Sequence, residues 1–134
     1  MSEAWEENLP RLLLEMGYFA LKRGSLSDAH ALLKGAQALR PQDPTPNMFR
    51  GMAHFAAGDY VEAEKSYRGI LEAHAQDDLT RTFLAESLIA QKRWSEAQTI
   101  LAAVIKSDRH KAAAGFALEL LNGLARGYLQ RAAS

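Results

Sequence analysis

Residues 51–67 read GMAHFAAGDYVEAEKSY, in which small residues, aromatics and a Gly-Asp break are spaced as two helices and a turn require. The same spacing recurs 34 positions earlier and 34 later. Gly17, Gly51 and Ala85 fall in register, as do Ala29, Ala63 and Ala97, then Leu26, Tyr60 and Trp94, then Leu33, Tyr67 and Leu101. No insertion interrupts the three copies. A period of this length, broken near its middle, is that of a helix–turn–helix unit stacked on copies of itself. One such unit cannot bury its apolar face alone, so neighbouring units complete the core between them.

Outward from that stretch, the spacing predicts an N-terminal arm over 1–9, repeats over 10–43, 44–77 and 78–111, and a terminal helix over 112–134. In the first repeat Pro10 suits a first helical position, where its missing N–H costs nothing. Leu13, Leu14, Met16, Gly17, Ala20 and Leu21 then recur at helical spacing, and Gly24 stops the helix. A second helix begins near Ser25 or Ser27 and carries Ala29, Leu32, Leu33, Ala36 and Leu39, after which Pro41, Pro44 and Pro46 forbid continuation. The second repeat breaks at Gly58, and Asp59 with Glu62 has capping-box spacing. The third lacks both glycines: Ala85 and Lys92 take their places, Trp94 falls in the turn, and Ser95 with Gln98 offers a replacement capping box. Beyond it, Phe116, Ala117, Leu120, Leu121, Leu124 and Tyr128 form one face and Glu119, Asn122, Arg126 and Gln130 the other. This is the pattern of a helix that closes the open end of an array, with Leu118, Ala125 and Leu129 widening its apolar side.

The bulk numbers exclude several classes of function. The formal net charge of the 134 residues is zero, which removes the broad attraction that nucleic acid or an anionic membrane surface would exert. Charge is uneven: residues 47–80 hold three Lys/Arg against six Asp/Glu, and residues 81–134 eight against four. There is no cysteine, so disulfides, thiolate nucleophiles and cysteine-based metal sites are excluded. The acidic start, Met1-Ser2-Glu3-Ala4-Trp5-Glu6-Glu7, has neither the basic end nor the apolar run of a secretory signal, and no stretch is long enough to span a membrane. The expectation is a cytoplasmic chain without membrane insertion.

These residues resemble the tetratricopeptide pattern W-x2-L-G-x2-Y, then A-x3-F, then P. The first repeat matches with Leu13, Met16, Gly17, Ala20, Ala29, Leu33 and Pro41. The second matches with Asn47, Arg50, Gly51, His54, Ala63 and Tyr67, with Ala75 at the proline place. The third offers Arg81, Leu84, Ala85, Leu88, Ala97 and Leu101, with Arg109 at that place. The resemblance implies an all-α, right-handed superhelix of three helical hairpins plus a C-terminal capping helix.

It also implies a concave groove lined by the first helices, where a protein or peptide partner lies. The groove-facing offsets give Leu14 and Tyr18 from the first repeat, Met48, Phe49, Met52 and Phe55 from the second, and Thr82, Phe83 and Glu86 from the third. Members that grip a C-terminal carboxylate place Lys, Arg and Asn at these offsets. Here Leu14, Tyr18, Phe49, Leu79 and Phe83 stand there, so an apolar peptide or one face of an amphipathic helix fits better. Three repeats plus a terminal helix also look like the tetratricopeptide chaperones of bacterial type III secretion, which hold an export substrate in the cytoplasm. By that likeness Trp5 in the arm, or else the terminal helix, is a place where two copies would meet.

Chemistry-bearing constellations are absent. His30, His54, His74 and His110 stand far apart in sequence, and no two share an i, i+4 spacing on one helix. The serines have no nucleophile-elbow context, no phosphate-binding glycine loop exists, and Asp77-Asp78 is most simply a solvated inter-repeat turn. The expectation is a non-enzymatic adaptor without cofactor, metal or nucleic-acid partner. A self-associating scaffold is the alternative.

Overall fold

In the computed structural model, which describes the backbone of residues 3–107 and 109–133 and the side chains of residues 7–107 and 109–127, seven helices and no strand are present. They are α1 (Glu3–Lys22), α2 (Leu26–Leu39), α3 (Thr45–Ala56), α4 (Tyr60–Ala73), α5 (Asp78–Ala90), α6 (Trp94–Ser107) and α7 (Lys111–Ala133). The fold is an all-α helical repeat. The second helix of each hairpin is 14 residues long, and the three begin 34 positions apart, at Leu26, Tyr60 and Trp94.

The turns that set this register are alike in atomic detail. Gly24, Gly58 and Lys92 all adopt left-handed backbone, with φ of 81°, 82° and 64°. The N–H groups of these three residues donate to Leu21, Phe55 and Ile89 carbonyls at 3.0, 3.0 and 2.9 Å. The next N–H groups, of Ser25, Asp59 and Arg93, reach back to Ala20, His54 and Leu88 at 2.9, 2.8 and 2.9 Å. This pair of bonds is the Schellman motif, which satisfies carbonyls that a helix end leaves open and favours glycine at the left-handed position. Lys92 adopts that conformation without being glycine.

Several local expectations are corrected. α1 starts at Glu3, so residues 3–9 of the arm expected over 1–9 belong to the first helix. Pro10 lies inside it and not at its first position. Trp94 opens α6 instead of sitting in the turn, which places Ser95 inside the helix, its carbonyl accepting the Thr99 hydroxyl at 3.1 Å. Ser25 makes no side-chain cap bond to α2. Side-chain bonds to helix-opening N–H groups form at the junctions between hairpins. Asp43 Oδ1 accepts the Thr45 N–H at 3.0 Å, Asp77 Oδ1 the Thr80 N–H at 3.1 Å, and His110 Nδ1 the Ala113 N–H at 3.1 Å. The side chains of Trp5, and of Tyr128, Leu129 and Gln130 at the far end of α7, lie outside the described residues.

The chain divides into two compact units, residues 1–70 and 71–134. In the first, α1 packs on α2 and both pack on α3. Its core is Ala20, Leu21, Ala29, Leu33 and Ala53, with Leu14, Leu26, Leu32, Phe49 and Met52 half-buried against it. Glycine makes the closest helix approaches possible. A Cβ on Gly17 would lie 2.6 Å from Leu33 Cδ2, and one on Gly51 would lie 2.8 Å from Tyr67 Cζ. Asn47 Nδ2 donates to the Ser66 carbonyl at 3.4 Å, joining α3 to α4.

In the second unit α6 and α7 pack on α5 and on each other. Ala85, Leu88, Ala97, Leu101, Val104, Ala113 and Ala117 are fully buried there. Thr82 and Ser87 are buried too, and each hydroxyl donates to a carbonyl of its own helix, Asp78 at 2.8 Å and Leu84 at 2.7 Å. That bond lets a polar residue sit in a core at low cost.

Candidate functional site

α1 and α3 each present one row of large side chains from the expected groove set. Leu14 and Tyr18 are one turn apart on α1, and Met48, Phe49, Met52 and Phe55 recur along α3. Tyr18 and Phe49 meet with ring centroids 4.9 Å apart and planes tilted by 43°. Leu14, Phe49 and Met52 rest half-buried on the core cluster, so the row is anchored below and open above. Tyr18 is exposed, with the Lys22 ammonium 5.6 Å from its ring centroid. The products are aromatic contact, thioether contact and one cation at the edge, which suits an apolar ligand face. Phe55 does not join the row. Its ring lies 5.0 Å from that of Tyr60, across the α3–α4 turn.

The second unit has its own pair. Phe83 of α5 meets Phe116 of α7 edge-on, with centroids 5.7 Å apart and planes at 67°. Glu86, one turn along, is half-buried, and burial raises its carboxyl above the ordinary glutamate range. Thr82 is a correction. Leu14, Met48 and Thr82 occupy one column of the 34-residue register, which points partly toward the core; the long members emerge at the surface and the short one does not. Thr82 is 0 % exposed and its hydroxyl is spent on Asp78, so it lines no groove. Phe116 was not expected at the site. It stands 34 positions after Thr82, and carrying the register one step past the third repeat would have found it.

Two clusters of titratable groups form where the sequence shows none. His30 and His54, far apart in sequence, stack with ring centroids 4.4 Å apart. Burial lowers both imidazoles below their usual range, and Arg50 beside them lowers both further. The Asp77-Asp78 pair is not a solvated turn. Asp78 is 4 % exposed and accepts from Arg81, Ser107 and Arg109. No group of three or more His, Asp or Glu residues that could hold a metal ion exists among the described residues. Nor is any helix among them long and apolar enough to cross a membrane.

A further apolar surface lies on the side of α1 turned away from Tyr18. Leu12, Met16 and Phe19, with Ala31 and Leu32 of α2, line an open hollow of about 570 Å³. Glu15, Arg23 and Asp28 stand at its rim, the Arg23 guanidinium 5.5 Å from the Phe19 ring centroid.

The repeated hairpin, the left-handed turn and the close glycine approaches define a helical-repeat protein whose first helix carries most of the exposed large apolar side chains among the described residues. Two descriptions of the tetratricopeptide repeat family match it, one over residues 14–78 and one over residues 54–120, the latter spanning half of the chain. The chain belongs to the tetratricopeptide repeat family, whose members are protein-interaction modules. Among solved structures it is similar to one described as the first TPR of Spaghetti (RPAP3) bound to an HSP90 peptide. The TM-score is 0.72 at 17 % sequence identity, covering 88 % of this chain and 94 % of that one. At that identity the likeness is one of fold. No curated protein matches the chain in sequence.

Proposed function

We propose that this chain is a cytoplasmic chaperone or adaptor that holds an apolar segment, or one face of an amphipathic helix, of a protein partner. The observation that carries this reading is the Tyr18–Phe49 stack, set with Leu14 and Met52 on a rigid core and open to solvent on its outer side. Aromatic and Met side chains fixed in this way offer much contact area at little entropic cost. The peptide held by the structurally similar domain supports a peptide-like ligand for this fold. The cation-rich offsets that would grip a carboxylate terminus are occupied here by Leu14, Tyr18 and Phe49, which turns the preference toward apolar ligands. The likeness to type III secretion chaperones makes an export substrate the class of partner proposed.

The test is affinity capture of a crosslinked partner from the native host, followed by titration of the purified partner. Tyr18→Ala with Phe49→Ala removes the first row, and Phe83→Ala removes the second pair. We expect the double variant to bind at least roughly tenfold more weakly, as truncation of an aromatic anchor does, with helical content unchanged. Unaltered affinity in the double variant would sink the row as the site. A captured partner that is not exported would remove the secretion element and leave protein binding standing.

A further inference from the structure

The junction between the first two repeats departs from the apolar pattern that the third repeat keeps. Arg50 and His54 stand one turn apart on α3, and the 34-residue register sets them in column with Leu84 and Leu88 of α5, which are 2 % and 0 % exposed. Across the packed α2–α3 contact His54 stacks on His30, with ring centroids 4.4 Å apart and planes tilted by 39°. Lys34 follows His30 one turn along α2. In the columns of His30 and Lys34, α4 carries Glu64 and Arg68, which pair with each other at 2.7 Å. His30 and Lys34 make no such pair.

The two rings are half-buried beside an apolar core. Ala29 and Ala53, their neighbours in the chain, belong with Ala20 and Leu21 of α1 to one buried cluster. A proton on either ring is opposed first by burial. On His30 it is opposed next by His54, Arg50 and Lys34, and on His54 by Arg50. Asp59 in the α3–α4 turn favours the proton on both rings, and Glu62 of α4 favours it on His54. Both carboxylates are exposed, and Glu62 is shared with Lys65 at 3.2 Å. The Arg50 Nε is buried and makes no hydrogen bond among the described residues. The balance holds both imidazoles below 6.5, so the folded chain binds fewer protons than the unfolded one. The stability contributed by this joint is therefore full above that value and is lost as pH falls below it. Neutral rings stack, whereas two charged rings at this distance repel, with a permanent cation beside them.

We propose that the α2–α3 joint is a proton-sensitive device, closed while His30 and His54 are neutral and loosened when both are charged in mildly acidic solution. Its output is the placement of α3 against α1 and α2. Phe49 is the chain neighbour of Arg50 and stacks on Tyr18 of α1, so a joint that loosens parts that aromatic pair. Protonation acts here on a packed interface between two helices, and the ligand row reads the result. Release of a ligand in acid rests on the function proposed above; the loosening of the joint does not.

The test is an NMR titration of the imidazoles in the full chain, with amide hydrogen exchange measured over the same range. The range stays above 3.8, so the Asp78 carboxylate keeps its charge throughout. Both histidines should titrate below 6.5. Between about pH 7 and about pH 5, with the intrinsic pH dependence of exchange divided out, amides of α2 and α3 should lose protection at least roughly tenfold more than those of α5 and α6. Contacts between the Tyr18 and Phe49 rings should weaken in step. His30→Gln with His54→Leu, the residues that the third repeat carries in these columns, should abolish that difference. Arg50→Gln touches neither ring, and it should raise both titration midpoints together. Midpoints at or above 6.5 overturn the proposal, as do midpoints indifferent to Arg50→Gln. Acid loosening that is equal in the two units, or that persists in the double variant, overturns it as well. A joint that loosens while a bound partner stays held would instead remove the Tyr18–Phe49 row as the ligand site and leave the device standing.

Discussion

Asp78 and Arg109 are joined by two side-by-side bonds across 31 positions, Nη2 to Oδ1 at 2.9 Å and Nε to Oδ2 at 3.3 Å. Asp78 opens α5 and Arg109 lies between α6 and α7, so one forked contact fixes three helices at a single corner. Ser107 donates to Asp78 Oδ2 at 2.7 Å and Arg81 to Oδ1 at 2.9 Å. A buried carboxylate with this many donors is kept because its lone pairs are all used.

The pair makes stability depend on acid. The Arg109 hydrogen bonds lead in holding the Asp78 carboxyl down at about 2 against an ordinary 3.8. Burial opposes them, and Ser107 and Arg81 add to them. A depressed carboxyl stabilises the fold above its unfolded value, and that contribution fades as pH falls from 3.8 toward 2. Asp78→Asn should cost about 1–3 kcal/mol at neutral pH, read by urea denaturation, and the gap to wild type should close in acid. A gap that persists unchanged at low pH would show that the charge is not the source.

Gly51 and Tyr67 should be energetically coupled. Tyr67 is 1 % exposed and its ring fills the place a Cβ on Gly51 would take. Gly51→Ala gains helix propensity worth about 1 kcal/mol, but overpacking against a ring with no room to move costs about 1–3 kcal/mol. A net loss is expected. The third repeat carries Ala85 with Leu101 at these places, both fully buried. In a Tyr67→Leu background, then, the same Gly51→Ala change should be neutral or favourable. A double-mutant cycle measures the coupling, and simple additivity would refute it.

Lys92 should be improvable. Its φ of 64° matches the turn that glycine makes at positions 24 and 58. A side chain held in left-handed backbone costs about 1–2 kcal/mol, and glycine gives back part of the gain through its freer unfolded chain. Lys92→Gly should raise stability by about 0.5–1 kcal/mol in a denaturation curve, while Gly58→Ala should lower it. Equal stability of wild type and Lys92→Gly would mean that the turn is unstrained.

The register was legible because it depends on small residues and breaks, which act locally. The positions of Leu26, Tyr60 and Trp94 mark three helix starts, and even the missing third glycine left the turn in place. What escaped the sequence was long-range pairing. Nothing near Asp78 announces that its partner is Arg109, and an Asp-Asp pair reads as solvent-facing until that partner is seen. His30 and His54 meet only because α2 and α3 pack. Thr82 was placed by column, while its burial was decided by side-chain length. On α1, Met16 stands at a motif packing position by spacing, yet it is exposed together with Leu12 and Phe19.

Helix pairs that pack, among them α1 with α2 and α3, α2 with α3, α3 with α4, α5 with α6 and α7, and α6 with α7, are neighbours or next neighbours along the chain. Topologies of this kind close early, because little chain must be looped before contacts form. During synthesis the α1–α2 hairpin, with its turn bonds at Gly24 and Ser25, has its local hydrogen-bonding partners once residue 39 has emerged. The apolar side of α1 is thus presented while the C-terminal half is still unmade. The first hairpin can therefore form at the ribosome with that side still open, before the second unit exists.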